Sequence, residues 1–89
     1  MKLTIEYAPA YLKKATKIAR KYSHLRKQYS ETLNKLVGNP FDPTLHTHAL
    51  IGGLKDKYAC SLTYELRIVF TLHDDIVHLL DIGTHDEVY

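Results

Sequence analysis

Residues 64–89, YELRIVFTLHDDIVHLLDIGTHDEVY, decide how this chain folds. Apolar residues dominate Arg67–Leu72 and Ile76–Ile82, and each run has the length and composition of a buried strand. The intervening HDD is typical of a tight turn, because aspartate side chains can hydrogen-bond their own backbone. We expect Gly83 to end the second strand. The polar tail Thr84–Tyr89 then gathers an imidazole, two carboxylates and a phenol, which suits a site better than a structural strand.

Upstream, the pattern predicts two further strands and two helices. Lys2–Tyr7 and Tyr58–Tyr64 alternate in polarity as half-buried strands do. Pro9 suits the first turn of an amphipathic helix, where its missing N–H costs nothing. Ser23 is a plausible N-cap for a second amphipathic helix, and Gly38 followed by Asn-Pro is a stop signal. The stretch from 39 to 54 is irregular.

These elements predict one α+β domain over residues 1–89, in the order β-α-α-β-β-β. A two-helix antiparallel hairpin packs on one face of a mainly antiparallel four-stranded sheet. A chain of 89 residues can bury one two-layer core. With a single cysteine, Cys60, it can form no internal disulfide.

Charge is distributed unevenly along the chain. Residues 1–38 hold nine Lys/Arg and two acids, a net charge of +7, whereas residues 39–89 hold three Lys/Arg and eight acids, a net charge of −5. A basic half suggests a polyanion or an acidic protein partner, although a solvated helix face has the same composition. We expect no secretory signal and no membrane contact, and therefore a cytoplasmic protein.

Several residues are candidates for a site, and each also has a structural interpretation. Arg67 could grip a phosphate with its guanidinium or pair with Glu65 or an aspartate at the rim of the sheet. His85 could transfer protons near neutral pH or be an exposed tail residue. His48 lies in the irregular segment, where it could bind or only pack. Tyr89 could stack on a base, bond a phosphate or plug the end of the sheet.

A metal site is one possibility, because His46, His48 and His85-Asp86 offer nitrogen and oxygen ligands. Their spacing does not match a structural zinc site, so we expect neither a metal nor another cofactor. Cys60 has no adjacent base and lies on an apolar strand, which is typical of a small core residue. The sequence contains no glycine-rich phosphate loop and no nucleophile elbow.

Three motifs occur together over residues 48–89: H-x-L-x-G-x-L-x-x-x-Y, an arginine leading R-I-V-F, and a closing G-T-H-x-x-x-Y. In this order and spacing they resemble the RelE/YafQ-like toxins of bacterial type II toxin–antitoxin pairs. The resemblance implies a metal-independent endoribonuclease that cuts messenger RNA, usually on the ribosome. It also implies a cognate antitoxin that neutralises the toxin in a hetero-oligomer, with a free toxin that is monomeric.

Such cleavage proceeds by attack of the ribose 2′-OH on the neighbouring phosphate, which requires a base, an acid and cations. By resemblance, His85 is the terminal catalytic histidine and His48 its loop partner. Arg67 matches the strand arginine that clamps the phosphate, and Tyr89 matches the terminal aromatic. Glu65 stands where the YafQ-like branch has an active-site aspartate.

Other positions bear on RNA binding. Lys55 and Lys57 lie near lysines that the RelE-like branch uses. Lys13, Lys17 and Arg20 of the first helix would face ribosomal RNA, because basic side chains neutralise backbone phosphates without reading sequence.

The chain also departs from the YafQ-like pattern. Ser61 replaces an active-site histidine, Asp81 replaces an arginine and Leu66 replaces a tryptophan. Two other functions therefore stay open. One is a ParE-like toxin that binds and inhibits DNA gyrase, and the other is an RNA-binding module without activity. Retention of His48, Arg67 and His85 favours the nuclease.

Overall fold

The structure is a computed structural model that describes residues 3–50 and 56–88. Within these ranges five strands and three helices follow one another, with short 3-10 turns at Ser23–Leu25 and Pro43–Leu45. In chain order they are β1 (Thr4–Tyr7), α1 (Pro9–Lys21), α2 (Arg26–Gly38), β2 (His48–Ala49), β3 (Lys57–Ser61), β4 (Leu66–His73), β5 (Ile76–Thr84) and α3 (His85–Val88).

The strands form one sheet in the order β1-β5-β4-β3-β2, with β1 parallel to β5 and the other pairs antiparallel. The predicted α+β class and the two helices on a mainly antiparallel sheet are confirmed. The predicted strand count of four is wrong, because β2 adds a fifth strand at the edge. Two residues are too short for a period-2 pattern, so β2 left no signal in the sequence.

The β4–β5 turn is built on two aspartates. Asp74 and Asp75 have φ angles of 50° and 63°, and His73 pairs with Ile76 on either side of them. Positive φ at both central residues defines the type I′ turn, whose twist matches that of the flanking strands. The predicted turn is therefore confirmed.

One residue of β5 has no partner of its own. Phe70 pairs with Leu79, but the next pair is Val69 with Asp81, so Leu80 is extra. This β-bulge shifts the alternation of β5, and the next core side chain after Leu79 comes three residues later instead of two. After the bulge, the side chains of β5 therefore lie on the face opposite to the one that strict alternation predicts.

The helix boundaries follow local signals with one exception. Pro9 begins α1 and α2 ends at Gly38, as predicted. Ser23 does not cap α2: it begins the 3-10 turn, and α2 starts at Arg26 without a side-chain cap. Ser23–Leu25 form the 3-10 turn, so α2 begins later than the sequence predicts.

The two long helices are joined inside the core by a pair of tyrosines. Tyr11 of α1 is fully buried, and its hydroxyl oxygen lies 2.6 Å from that of Tyr29 in α2. Burial, reinforced by this hydrogen bond, raises the pKa of Tyr11 far above its ordinary value, so the pair stays neutral. The contact satisfies a polar group that the core would otherwise penalise.

The end of β5 differs from the prediction. Gly83 lies inside the strand, paired with Arg67, and the tail continues as α3. The backbone N–H of Thr84 donates to Glu87 Oε1 at 2.8 Å, which is half of the capping box that Thr-x-x-Glu can form at a helix start. A methyl group at Gly83 would lie 3.1 Å from that oxygen, so glycine lets α3 fold back on the sheet.

The described residues include no helix long and apolar enough to cross a membrane.

We predict that Tyr29→Phe lowers the free energy of unfolding by about 1–3 kcal/mol, because the Tyr11 hydroxyl then lacks a partner where water cannot reach. Tyr11→Phe should cost less, about 1 kcal/mol, since the half-buried Tyr29 hydroxyl can bond to water. Chemical denaturation measures both, and the double variant should lose less than the sum. Tyr64→Phe, at an exposed ring, is the control. Additive losses would contradict a coupled pair.

We also predict that the start of α3 loosens at low pH. The Thr84 backbone hydrogen bond, with help from the Thr84 side chain and the charges of Lys14 and Lys21, lowers the pKa of Glu87 below its ordinary value of 4.5. The stabilisation is therefore complete above pH 4.5 and is lost as the pH falls through the lower pKa of the folded protein. Amide NMR should show loss of Thr84 protection there, and at all pH values in Glu87→Ala.

Glu31→Ala removes an exposed acid from α2 and is the control for that experiment. A Thr84 amide that titrates identically in wild type and Glu87→Ala would contradict the capping role of Glu87.

Candidate functional site

The candidate site lies on the sheet face opposite the long helices. Leu66 and Ile68 of β4 are in the core, so Arg67 between them points to the other face. Its register partners are Ser61 on β3 and Gly83 on β5, and directly paired residues share a face. A row across three strands therefore places a serine, a guanidinium and a residue without a side chain side by side.

The absent side chain of Gly83 makes room for α3 next to Arg67. A cleft of about 420 Å³ results between the β3–β4 turn and the start of α3. Its lining residues are Tyr64, Glu65, Arg67, Thr84, His85 and Asp86. The structure thus brings together three of the predicted site residues, Glu65, Arg67 and His85.

Arg67 is fixed by the turn that precedes it. Its Nη1 donates to the carbonyl oxygens of Thr63 at 2.7 Å and Tyr64 at 2.8 Å. The predicted rim pair with Glu65 is not among its contacts within the described residues, since the arginine bonds backbone carbonyls instead. Nη2 and Nε take no part in these bonds, so the guanidinium is held in place by one nitrogen.

The hydroxyl of Thr63 also stabilises this turn. Its Oγ1 accepts the backbone N–H groups of Glu65 at 3.2 Å and Leu66 at 3.0 Å. The Glu65 side chain is exposed at the cleft. A carboxylate and a guanidinium are therefore carried by one rigid turn.

His85 is the first residue of α3, and its side chain is 65% exposed. Its Nδ1 lies 3.6 Å from Asp86 Oδ1, close enough for an ion pair when the imidazole is protonated. Because α3 is tied to Thr84 through Glu87, the imidazole is carried on a defined backbone. It can accept or donate a proton at the cleft.

His48 is on the same face but outside the cleft. It pairs with Ala59, two residues along β3 from Ser61. Two strand spacings and two residues then separate His48 from Arg67, or roughly 12 Å between Cα atoms. Its Nδ1 lies 3.2 Å from the His46 carbonyl oxygen. A substrate would have to extend across the sheet to meet both histidines.

The predicted RNA-binding residues fall in two places. Lys57 is in β3 on the same face as Arg67 but four residues from Ser61, roughly 13 Å along the strand. Lys13, Lys17 and Arg20 are exposed on α1, at spacings that put them on one side of the helix. Lys55 and Tyr89, which sequence reasoning also singled out, lie outside the described residues.

The departures from the YafQ-like pattern have structural explanations. Asp81, in the bulge, accepts from Lys14 Nζ at 2.7 Å and from the Ile82 N–H at 2.9 Å, so it anchors α1 to the sheet. Leu66 is buried in the core. Ser61 occupies the position beside Arg67, where a serine offers a hydroxyl but no titratable group.

The described residues contain no group of three or more His, Cys, Asp or Glu side chains that could hold a metal ion. Cys60 is fully buried, and burial raises the pKa of its thiol to about 12. It is a core residue, as predicted, and has no access to the cleft.

Sequence reasoning missed Tyr64 and Glu87. Tyr64 was assigned to a strand, although it lies in the β3–β4 turn and lines the cleft. Glu87 was counted only as one acid of the tail. The Thr-x-x-Glu spacing before Val88 was the signal that could have identified its capping role.

Comparison with known proteins identifies the fold and the family. The structure is similar to a metal-bound toxin from Helicobacter pylori, at 28% identity, a TM-score of 0.82 and coverage of 98% of this chain and 99% of that one. It is also similar to YafQ from E. coli, at 19% identity, a TM-score of 0.80 and 98% coverage of both chains. A chain of the E. coli DinJ–YafQ toxin–antitoxin complex matches at 21% identity, with a TM-score of 0.80 and coverage of 100% of this chain and 99% of that one.

No curated protein matches the chain by sequence. The sequence profile of a family described as the bacterial toxin of type II toxin–antitoxin system, YafQ, matches residues 3–89. That match spans nearly the whole chain, including the cleft and both elements that carry it. The chain therefore belongs to the YafQ family of type II toxin–antitoxin toxins.

Proposed function

We propose that this toxin is a metal-independent endoribonuclease that cuts messenger RNA on the ribosome. The observation that carries the proposal is the cleft, where a guanidinium, a carboxylate and an imidazole meet on two anchored elements. Phosphodiester cleavage by an internal nucleophile needs a cation, a base and an acid. Arg67, Glu65 and His85 supply these three chemical functions.

In the proposed reaction the ribose 2′-oxygen bonds to the adjacent phosphorus as the bond from phosphorus to the 5′-oxygen breaks. One side chain takes the 2′-OH proton, and another gives a proton to the leaving 5′-oxygen. Glu65 and His85 form the acid–base pair of the cleft. His48 lies farther along the same face and contacts the RNA beyond the cut phosphate.

Arg67 is the cation for the charge that develops on the phosphate. Two hydrogen bonds from Nη1 to the turn hold the guanidinium before substrate arrives. A group that is already positioned need not reorganise in the transition state, which makes its stabilisation larger. Nη2 and Nε remain to contact the phosphate oxygens.

The openness of the cleft supports dependence on the ribosome. His85 is mostly exposed, and charges act weakly across water. Messenger RNA held by the ribosome would cover the cleft and exclude solvent from it. The exposed side of α1 is basic, and Lys14 and Lys21 lie near enough to Glu87 to influence its pKa. The helix that would meet ribosomal RNA is therefore beside α3.

We further propose that a cognate antitoxin docks in a groove between α1 and α2. The groove has a volume of about 260 Å³ and is lined mainly by apolar side chains, including Leu12, Ile18, Tyr22 and Leu25. Leu12 is half exposed, and the exposed Arg26 is also a lining residue. An acidic amphipathic segment fits this combination. The E. coli YafQ is solved in complex with the antitoxin DinJ, which supports a partner of this class.

We predict that His85→Gln and Glu65→Gln each lower the rate of mRNA cleavage by about 10²–10⁴-fold, the range typical of a general acid or base. Arg67→Lys should also impair cleavage, because an ammonium cannot reproduce the planar fork. Primer extension on a reporter mRNA with purified ribosomes measures the cuts. His73→Gln, at the exposed histidine that ends β4, is the matched control and should cut normally.

Growth arrest without cuts, undiminished in His85→Gln, would contradict the nuclease. A DNA supercoiling assay would then test the gyrase alternative. Thermal midpoints of all variants separate a catalytic defect from loss of the Arg67 turn contacts.

We predict that Leu12→Glu weakens binding of the cognate antitoxin at least ten-fold. The substitution removes an apolar contact and places a negative charge against an acidic segment, so both effects act in the same direction. Calorimetry with the co-expressed antitoxin measures the change. His73→Glu introduces the same charge at the β4–β5 turn and should bind normally, whereas equal affinity for Leu12→Glu would place the antitoxin on another surface.

A further inference from the structure

Tyr64 is the most exposed large hydrophobic side chain among the described residues. It is 92% exposed, whereas Tyr7, Leu12 and Phe41 are each about half exposed. Burying an aromatic ring is among the largest single gains available to a small domain. Tyr64 does not contribute to stability in this way, because its ring lies in solvent at the mouth of the cleft.

The backbone under this exposed ring is fixed from both sides. Leu62 N–H donates to the Leu66 carbonyl at 2.9 Å, which closes the turn around Tyr64. The Tyr64 carbonyl oxygen accepts Nη1 of Arg67 at 2.8 Å. The side chain itself has only two rotatable angles. Little conformational entropy is therefore lost when a ligand settles on the ring.

The surroundings of the ring indicate what kind of ligand it meets. The other side chains that line the cleft are polar or charged, and they include Glu65, Arg67, His85 and Asp86. An aromatic anchor for a protein partner usually lies in a well-packed pocket from which water is excluded. Here a flat apolar face stands beside a cation held at a turn, which matches the alternation of base and phosphate in single-stranded RNA.

We propose that Tyr64 is a stacking platform for the RNA base next to the phosphate bound by Arg67. The inference rests on the proposed nuclease function and adds a base-binding subsite to it. The link is direct, because one nitrogen of Arg67 bonds the carbonyl of Tyr64. The cation that would contact the phosphate therefore also holds the backbone from which the ring projects. Purines, which offer the larger aromatic face, are preferred at this subsite.

The test measures binding without cleavage. The probe is a 2′-O-methyl RNA decamer, which has no free 2′-OH to attack, with 2-aminopurine at its centre. Stacking quenches 2-aminopurine fluorescence, and low ionic strength keeps the phosphate contacts strong. Wild type, Tyr64→Phe and Tyr64→Leu are titrated, together with Tyr7→Leu as a matched control at an exposed tyrosine outside the cleft.

We expect Tyr64→Phe to bind and quench as wild type does, because it keeps the ring. Tyr64→Leu should lose the quenching and bind about ten-fold more weakly, a typical loss for one base–aromatic stack. Tyr7→Leu should leave the quenching intact. An unchanged thermal midpoint shows that Tyr64→Leu is folded, as expected for a side chain without buried contacts.

Two results would overturn the proposal. One is equal quenching by wild type and Tyr64→Leu, or none by wild type. The other is normal RNA binding by Tyr64→Leu together with weakened antitoxin binding, which would make Tyr64 a protein contact. The nuclease function is tested separately, because cleavage of the reporter mRNA by wild type is measured independently of probe quenching. Wild type that quenches but never cuts would contradict catalysis alone.

Discussion

Leu80, the extra residue of β5, determines which side chains of that strand meet the core and which meet the cleft. Without it, Arg67 would lie opposite Ile82, and an apolar core residue would occupy the site face. With it, Ile82 packs inside and Gly83 lies beside Arg67. Because Gly83 has no side chain, α3 can fold back over the strand, and His85 follows. The site therefore depends on one insertion in a strand and one missing methyl group.

The β3–β4 turn likewise depends on very few side chains. Thr63 and Arg67 both bond its backbone, so the turn is rigid although Tyr64 and Glu65 at its tip are exposed. Arg67 combines a structural and a proposed catalytic role, since the nitrogen that braces the turn is not needed for the phosphate. This division explains how a domain with a single small core can hold a site on its surface.

The fold brings the basic N-terminal half of the sequence close to the acidic C-terminal half. Asp81, an anion where the YafQ-like pattern has a cation, is paired with Lys14 and so does not repel a polyanion as strongly as the sequence implied. Lys14 of α1 also contacts β5 through Asp81, and Lys14 and Lys21 lie close enough to Glu87 of α3 to lower its pKa. The positive N-terminal half and the acidic C-terminal half are therefore neighbours in space. Basic residues that are distant in sequence can compensate the acids around the cleft.

The sequence by itself determined the α+β class, the β4–β5 hairpin with its aspartate turn, the start of α1 and the end of α2. These features depend on hydrophobic periodicity and on local backbone preferences, both of which are set by a few neighbouring residues. It also indicated Arg67 and His85, through motifs that resemble those of the family, and Glu65, through its position relative to an aspartate of the YafQ-like branch. Their convergence depends on how β4 and β5 pair, and a pairing register is a property of two strands together.

Only the tertiary structure decided the remaining features. The bulge, the two-residue strand β2 and the continuation of β5 through Gly83 arise from pairing between distant segments, which no local pattern contains. The burial of Leu66 and the pairing of Asp81 with Lys14 likewise depend on α1 and the sheet coming together. Tyr64 shows the same limit most clearly. Its alternation predicted a strand residue, but side-chain and backbone hydrogen bonds of the turn removed it from the sheet and left its ring in solvent.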